Sequence, residues 1–194
     1  MVRDIETADS SRRAGTVFWI TGLSGAGKTT VATALSSALD RRGRPHVRLD
    51  GDELRTVFAD VDRHDHQARR MLSRRYAGLC RLISHQGLDV VCSTISLFHD
   101  IHRWNRDNIE NYVEVFLDVD RAVLAARDPK GLYRRADAGE LDNVAGLDLA
   151  VELPEAPDLT VRNDGRQTPE QVARAILDAA DRAPDRQRPR ESIG

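Results

Sequence analysis

Thr16-Val-Phe-Trp-Ile-Thr-Gly-Leu-Ser-Gly-Ala-Gly-Lys-Thr-Thr30 decides how this chain is read. Val17, Phe18, Trp19 and Ile20 form a short apolar run, the pattern of a strand buried on both faces. Directly behind it stands Gly22-x-x-x-x-Gly27-Lys28-Thr29, a phosphate-binding loop pattern. Its glycines let the backbone bend tightly, so that successive N–H groups converge on phosphate oxygens. Gly22, Leu23, Ser24, Gly25, Ala26, Gly27, Lys28, Thr29 and Thr30 are therefore expected to hold a nucleotide's phosphates. Lys28 reaches the β- and γ-phosphates, and the Thr29 hydroxyl ligates Mg²⁺. Val31, Ala34, Leu35, Ala38 and Leu39 recur at helical spacing, so the loop opens a helix whose N-terminus also attracts anions. The plain alternative is a Gly-rich turn in another kind of α/β protein. The order strand, loop, helix favours nucleotide binding.

Composition sharpens this. Of 29 basic residues only Lys28 and Lys130 are lysines. A chain that uses arginine almost everywhere has placed one of its two lysines where a compact ammonium on a flexible stem is needed, which draws attention to Lys130. The length of 194 residues fits one domain, and a net charge of −2 gives no field for nucleic acid or an anionic membrane. Cys80 and Cys92 are read as reduced thiols of a cytoplasmic protein. Neither a signal peptide nor a membrane span is apparent.

Taken in order, residues 1–14 read as a flexible arm, 15–182 as one domain, and 183–194 as a disordered tail rich in proline and arginine. After the first helix, ending near Arg42, a second strand His46–Asp50 runs into Asp50-Gly51-Asp52. In an open parallel sheet ligands bind at the carboxyl ends of strands, so both carboxylates are expected beside the phosphate loop; an ordinary Asp-Gly turn is the bland alternative. A short helix over Glu53–Phe58 carries Arg55. A long one over Gln67–Gln86 carries Arg69, Arg70, Arg74 and Arg75, by default a solvated face from which one or two cations meet an anionic substrate. His64 and His66 lack the surroundings of a zinc site. A third strand, residues 88–93, ends in Ser93-Thr-Ile-Ser96 at the ligand edge. A helix over Asp100–Ile109, a strand over Tyr112–Leu117 and a helix over Asp120–Arg127 follow. From Asp128 to about Leu147 periodicity fails and the polarity is too high for core, the signature of a functional lid. A strand over Asp158–Val161 and a helix over Pro169–Ala180 close the domain.

Five strands alternating with helices behind a phosphate loop describe an α/β P-loop kinase fold, a five-stranded parallel sheet flanked by helices, with a lid. Several motifs narrow it: Gly22-Leu-Ser-Gly-Ala-Gly-Lys-Thr-Thr30, Leu49-Asp-Gly-Asp-Glu-Leu-Arg55, Ile95-Ser96, Arg127-Asp-Pro-Lys-Gly-Leu-Tyr133 and Glu152-Leu-Pro-Glu-Ala-Pro-Asp-Leu159. Together they resemble the adenylyl-sulfate kinase family across about residues 15–180. The resemblance implies transfer of the ATP γ-phosphate to the ribose 3′-hydroxyl of a sulfated nucleotide, with ATP and Mg²⁺. It also implies roles. Asp52 sits near the acceptor hydroxyl, Asp50 helps hold the Mg²⁺ water shell beside Thr29, and Arg55 and Arg69 contact substrate. Ile95 and Ser96 line the acceptor side, with Ser96 matching a serine traditionally called phosphorylated. Arg127, Lys130, Gly131 and Leu132 belong to the lid, where cations steady the moving phosphoryl group.

The departures bear on the acceptor. The family's Gly-Phe-Ser segment has no room between Asp50 and Arg70. Its Asp-Arg-x-x-Asn is replaced, at nearest, by Arg63-His-Asp-His-Gln67. Its Phe-Thr-Gly is Val144-Ala-Gly146. The two missing phenylalanines sandwich the substrate adenine in the family, and base–aromatic stacking contributes about 1–3 kcal/mol per base. Tyr133, Phe98 or Trp104 stand as rings able to supply a wall from another direction. A second resemblance covers the middle of the chain. Val91-Cys-Ser-Thr-Ile-Ser-Leu-Phe-His99, Trp104-Asn-Arg106, Asn143-Val-Ala-Gly-Leu-Asp148 and Asn163-Asp164 are similar to a divergent branch that includes the cytidine diphosphoramidate kinases of capsule-modifying pathways. A pyrimidine nucleotide is thus the favoured acceptor, with adenylyl sulfate the alternative. A P-loop nucleotide sensor is the rival from another class, but the chain lacks the Asn-Lys-x-Asp base-reading pattern of GTPases. A kinase of a small sugar or shikimate-like alcohol shares the fold. The expected partner is a small nucleotide, and a homodimer is a compatible assembly.

Overall fold

β1 (Thr16–Thr21) is buried along nearly its whole length at the centre of a five-stranded sheet. The structure, a computed structural model, describes residues 13–58, 65–128, 131–140, 146 and 151–182. β1 pairs in parallel with β3 (Asp89–Ser93) on one side and β4 (Asn111–Asp118) on the other. β2 (His46–Asp50) lies outside β3, and β5 (Leu159–Arg162) outside β4, both parallel, giving the order β2-β3-β1-β4-β5. Every strand therefore ends at the same edge, which is where ligands of such sheets bind.

The two-residue alternation of a strand sorts the core into two layers. Phe18 and Ile20, with Val113, Val115 and Leu117, pack under α1 (Lys28–Arg41) and α7 (Pro169–Asp181). Val17 and Trp19, with Val90, Cys92 and Tyr112, pack under α3 (His66–Ser84) and α4 (His99–Asn108). A sheet covered on both faces explains why β1 and β3 read as continuous apolar runs. The helix ends carry their own signals. Asp65 accepts from the Ala68 N–H to start α3. Thr168 and Gln171 form a reciprocal capping box with Pro169 in the first turn of α7.

The element order agrees with the sequence reading, and two local expectations are corrected. The helix after β2 is α2 (Gly51–Val57), two residues earlier than expected. The Asp50 side chain accepts from the Asp52 N–H and caps the helix, so Asp50-Gly51-Asp52 is a helix start and not a turn. The stretch from Asp128, expected to lack regular structure and core, holds α6 (Leu132–Asp137) after α5 (Arg121–Arg127). Within α6, Tyr133 is 3% exposed and belongs to the α1/α7 core layer. One aromatic in a polar segment gives no periodicity to read, yet it suffices to anchor a short helix.

Candidate active site

The phosphate loop closes on itself through its carbonyls. Lys28 Nζ donates to Leu23 O at 2.8 Å, and Tyr133 Oη donates to Ser24 O at 2.9 Å. Arg127 Nη1 reaches Gly25 O at 3.5 Å, and Asn163 Nδ2 donates to Ala26 O at 2.7 Å. Four consecutive carbonyls are thus held by side-chain donors, and the Ala26 N–H closes the turn onto Leu23 O at 3.2 Å, a fixed Gly-rich loop of the kind that binds anions through its peptide N–H groups. Gly22 and Gly27 have φ of +151° and +87°. A Cβ on Gly22 would lie 2.8 Å from Leu117 O, and one on Gly27 2.7 Å from Asn163 Nδ2, so no side chain fits at either position. This is a cradle whose shape suits phosphate.

Next to it, Asp50 at the end of β2 is held from three sides. Thr29 Oγ1 donates to Asp50 Oδ2 at 2.8 Å, Ser93 Oγ to the same oxygen at 2.9 Å, and the Asp52 N–H to Oδ1 at 3.0 Å. Burial pushes the carboxyl's pKa up, but these hydrogen bonds and the Lys28 charge outweigh it and hold the pKa below its ordinary value. An ionised carboxylate touching the loop threonine offers hard oxygen ligands beside the phosphates, the donor set that suits Mg²⁺. Asp52 and Arg55 lie one turn apart on α2. Tyr76 of α3 fixes this corner by donating to Gly51 O at 2.9 Å, and Arg69 is half-buried on α3.

The third wall is the loop after β3, residues 94–98. Thr21 Oγ1 donates to Ile95 O at 2.5 Å, and the Thr94 N–H to Ile20 O at 3.0 Å. The loop also abuts Gly51, where a Cβ would lie 3.1 Å from Thr94 Oγ1. Ser96 is 5% exposed and has φ of +23°, a conformation that costs a non-glycine residue on the order of 1–3 kcal/mol. Its hydroxyl pairs with Thr94 Oγ1 at 2.8 Å inside the loop, and its carbonyl accepts from His102 Nε2 at 2.8 Å.

A search against family models matches residues 14–162 to the adenylylsulphate kinase family. The chain belongs to that family. It is 37% identical over 161 residues to the cytidine diphosphoramidate kinase of Campylobacter jejuni, covering 83% of this chain and 94% of that one. To the adenylyl-sulfate kinase of Pseudomonas aeruginosa it is 38% identical over 161 residues, covering 81% of this chain and 82% of that one. Among solved structures, the Mycobacterium tuberculosis APS kinase CysC in complex with AMPPNP and APS superposes with a TM-score of 0.80 at 30% identity, covering 87% and 98% of the two chains. As a member of the adenylylsulphate kinase family, the chain is an ATP-dependent phosphotransferase.

Of the residues singled out in the sequence, Gly22 to Thr30, Asp50, Asp52, Arg55, Ile95 and Ser96 converge on one edge of the sheet. Arg127, expected to bind the nucleotide cofactor at the edge of the lid, stands at the end of α5, where its Nη2 donates to Asn163 O at 2.9 Å and its Nη1 faces the phosphate loop. Gly131 and Leu132 open α6. Lys130 and Val144 lie outside the described residues. Sequence reasoning missed Tyr133 and Asn163 as partners of the phosphate loop and Ser93 as a partner of Asp50. Asn163 carried a signal, an asparagine directly after β5 at the ligand edge, which had been used only as a mark of resemblance. No group of three or more metal-ligating side chains occurs among the described residues, and no helix among them is long and apolar enough to cross a membrane.

Proposed function

We propose that this chain transfers the γ-phosphate of ATP to the ribose 3′-hydroxyl of a nucleotide bearing a small acidic group, and that a pyrimidine acceptor of the cytidine diphosphoramidate type is favoured. The observation that carries the base preference concerns the three rings able to replace the family's adenine sandwich. Tyr133 and Phe98 are 3% and 7% exposed, and Trp104 packs against the α3/α4 core layer. Rings spent on packing in this way leave a purine without walls, whereas a smaller pyrimidine stacks less and loses less. The name of the Campylobacter relative supports the same choice.

In this reading Lys28 binds the β- and γ-phosphates, and Arg127 supports the ATP side. Thr29 and Asp50 would hold Mg²⁺, which neutralises phosphate charge when bound. Asp52 orients the acceptor hydroxyl or takes its proton. Arg55 and Arg69 bind the acceptor's anionic groups, and the Ile95–Ser96 backbone borders it. Lys130, Gly131 and Leu132 belong to a lid over about 128–147 that closes on the phosphates. The domain is flanked by an arm at 1–14 and a tail from 183.

The test is a competition assay with ATP and both acceptors present. Cytidine diphosphoramidate should exceed adenylyl sulfate in kcat/KM by at least about tenfold, the factor that 1.4 kcal/mol of differential transition-state binding supplies. Faster turnover of adenylyl sulfate would assign the chain the alternative acceptor. Asp52→Asn should lower kcat by about 100-fold or more with ATP affinity retained, as loss of a proton acceptor does. A matching loss of ATP affinity would make Asp52 a metal-binding residue only.

A further inference from the structure

Behind the 94–98 loop, on the side away from the phosphates, lies a chain of buried charge for which the transfer reaction has no direct use. Glu114 is 2% exposed in the middle of β4, on the face covered by α4. A carboxylate in that position is costly unless paired. Arg106 of α4 pairs with it, Nη2 to Oε2 at 3.0 Å, and Arg106 is itself gripped by Asp158 at 3.2 and 3.3 Å just before β5. Asp158 also accepts from the Glu114 N–H at 2.8 Å. The other Glu114 oxygen, Oε1, lies 3.0 Å from Nδ1 of His102, one turn before Arg106 on α4. His102 is 6% exposed, and although its Nδ1 and Glu114 Oε1 approach each other, neither atom has a hydrogen-bond partner. The far nitrogen of the same ring, Nε2, meets Ser96 O at 2.8 Å. A carbonyl only accepts, so Nε2 carries the ring's proton and donates.

With its proton on Nε2, the neutral ring turns a bare Nδ1 toward Glu114 Oε1, so no hydrogen bond joins the two, and Glu114 is held by Arg106 instead. The Ser96 side of the ring meets a described non-glycine residue whose φ, +23°, reaches the left-handed region. Backbone in such a conformation persists only where its surroundings over-determine it. Here three contacts do so: the hydroxyl pair with Thr94, the Phe98 N–H donating to Ser96 O at 3.1 Å, and the His102 donation. Only the last reaches outside the loop from Ser96 itself.

We propose that His102, through its donation to the Ser96 carbonyl, is a positioning residue that sets the Ser96 turn and thereby the acceptor wall of the site, without touching either substrate. The proposal rests on the reading of residues 94–98 as the acceptor side. It separates the two substrates: disturbing His102 moves acceptor recognition and leaves the phosphate loop, which is held by other donors, as it was.

Three variants test it. His102→Ala removes the ring and its donation, and His102→Asn keeps an amide near Nδ1 while withdrawing from Ser96. His102→Gln reaches far enough to donate from its amide to the Ser96 carbonyl. With whichever of adenylyl sulfate and cytidine diphosphoramidate the wild-type chain turns over, Ala and Asn should raise acceptor KM about tenfold, the cost of one buried hydrogen bond. Affinity for an ATP analogue should stay within about twofold, which also reports that the variants are folded. Gln should recover most of the acceptor KM. Amide hydrogen exchange of the 94–98 peptide needs no acceptor and should rise in the Ala and Asn variants but not in Gln. If the wild type turns over neither acceptor, the functional reading fails and the exchange measurement alone decides the role of His102. Unchanged exchange at 94–98 in His102→Ala, equal weakening of ATP and acceptor, or no recovery in Gln would each overturn the proposal.

Discussion

Four consecutive carbonyls, from Leu23 to Ala26, hold the phosphate side of the site in place, whereas on the acceptor side, where Thr21 fixes the Ile95 carbonyl, the strained Ser96 turn is itself held from outside its loop at one carbonyl. The donors differ as much as the count. On the phosphate side they are a lysine from within the loop and three side chains that arrive from α5, α6 and the end of β5, each able to be lost while the others remain. At the Ser96 turn a single imidazole carries the contact from outside the loop. A phosphate cradle serves every ATP-dependent member of the fold, so redundancy there costs nothing in specificity. A turn held from outside by one contact is easier to re-aim when the acceptor changes. The difference teaches that the first half of the site resists substitution around it and the second half transmits it.

The largest expected effect breaks the phosphate side at its one irreplaceable member. Lys28→Ala should lower phosphate transfer by at least about 100-fold, the scale of losing one preorganised charge donor at a developing charge. The fold should survive, because Lys28 itself belongs to neither core layer. Near-normal turnover in a folded Lys28→Ala variant, checked by circular dichroism and a radiolabelled-ATP assay, would sink the kinase reading.

Redundancy predicts a gentler result for the outer donors. Tyr133→Phe and Asn163→Ala each remove one hydrogen bond to a loop carbonyl, worth about 0.5–1.5 kcal/mol. Each should weaken ATP binding by roughly 2- to 12-fold and leave acceptor KM near its wild-type value. The double variant should come close to the sum, since the two donors act on different carbonyls. Calorimetric titration with a non-hydrolysable ATP analogue measures this. A single variant that abolishes binding would show that the loop is no more redundant than the Ser96 turn, and the comparison would fall.

The same contrast explains what the sequence could be made to say. The phosphate loop is local: Gly22 to Thr29, the apolar run before it and the helix after it lie within the twenty-six residues Thr16–Arg41, so spacing alone identifies it. Asp50 and Asp52 follow from being at a strand end, a rule of position in parallel sheets. Tyr133 and Asn163 meet the loop across 109 and 137 residues of chain; nothing at Tyr133 announces the contact, and at Asn163 only its place directly after β5 does. The buried Glu114–Arg106 pair and the His102 contact beside it are harder still. Glu114 stands within the apolar run Tyr112–Leu117, where a buried carboxylate breaks the pattern, and that break was the available signal. Reading it required the register of β4 on β1 and the way α4 crosses the strand, which only the folded chain supplies. By resemblance Ser96 matches a serine traditionally called phosphorylated and lines the acceptor side, a description that speaks of its side chain. In the fold the hydroxyl is turned inward to Thr94, and what the residue contributes is the shape of its backbone.

The smallest effect sharpens the comparison at Asp50, where the two sides meet through Thr29 and Ser93. The hydrogen bonds from the Asp52 N–H, Thr29 and Ser93, with the Lys28 charge, hold its pKa below the ordinary carboxylate value of 3.8 despite the upward push of burial. A carboxylate with a depressed folded pKa adds stability that is fully present above its unfolded pKa. That stability is lost as pH falls through the folded value, because the unfolded chain then binds the proton more readily. Asp50→Asn keeps the shape and removes the charge. At pH 7 the variant should be less stable than wild type by roughly 1 kcal/mol, the scale of one such hydrogen bond at a partly exposed site. Urea titrations repeated at falling pH should show the gap constant down to about pH 4 and closing below it, as wild-type Asp50 takes up its proton. A gap that persists unchanged well below pH 3 would mean that the ionised form is not what Thr29 and Ser93 bind. Asp50 would then be a neutral link between the two sides, and its place as a ligand for Mg²⁺ would lose its electrostatic support.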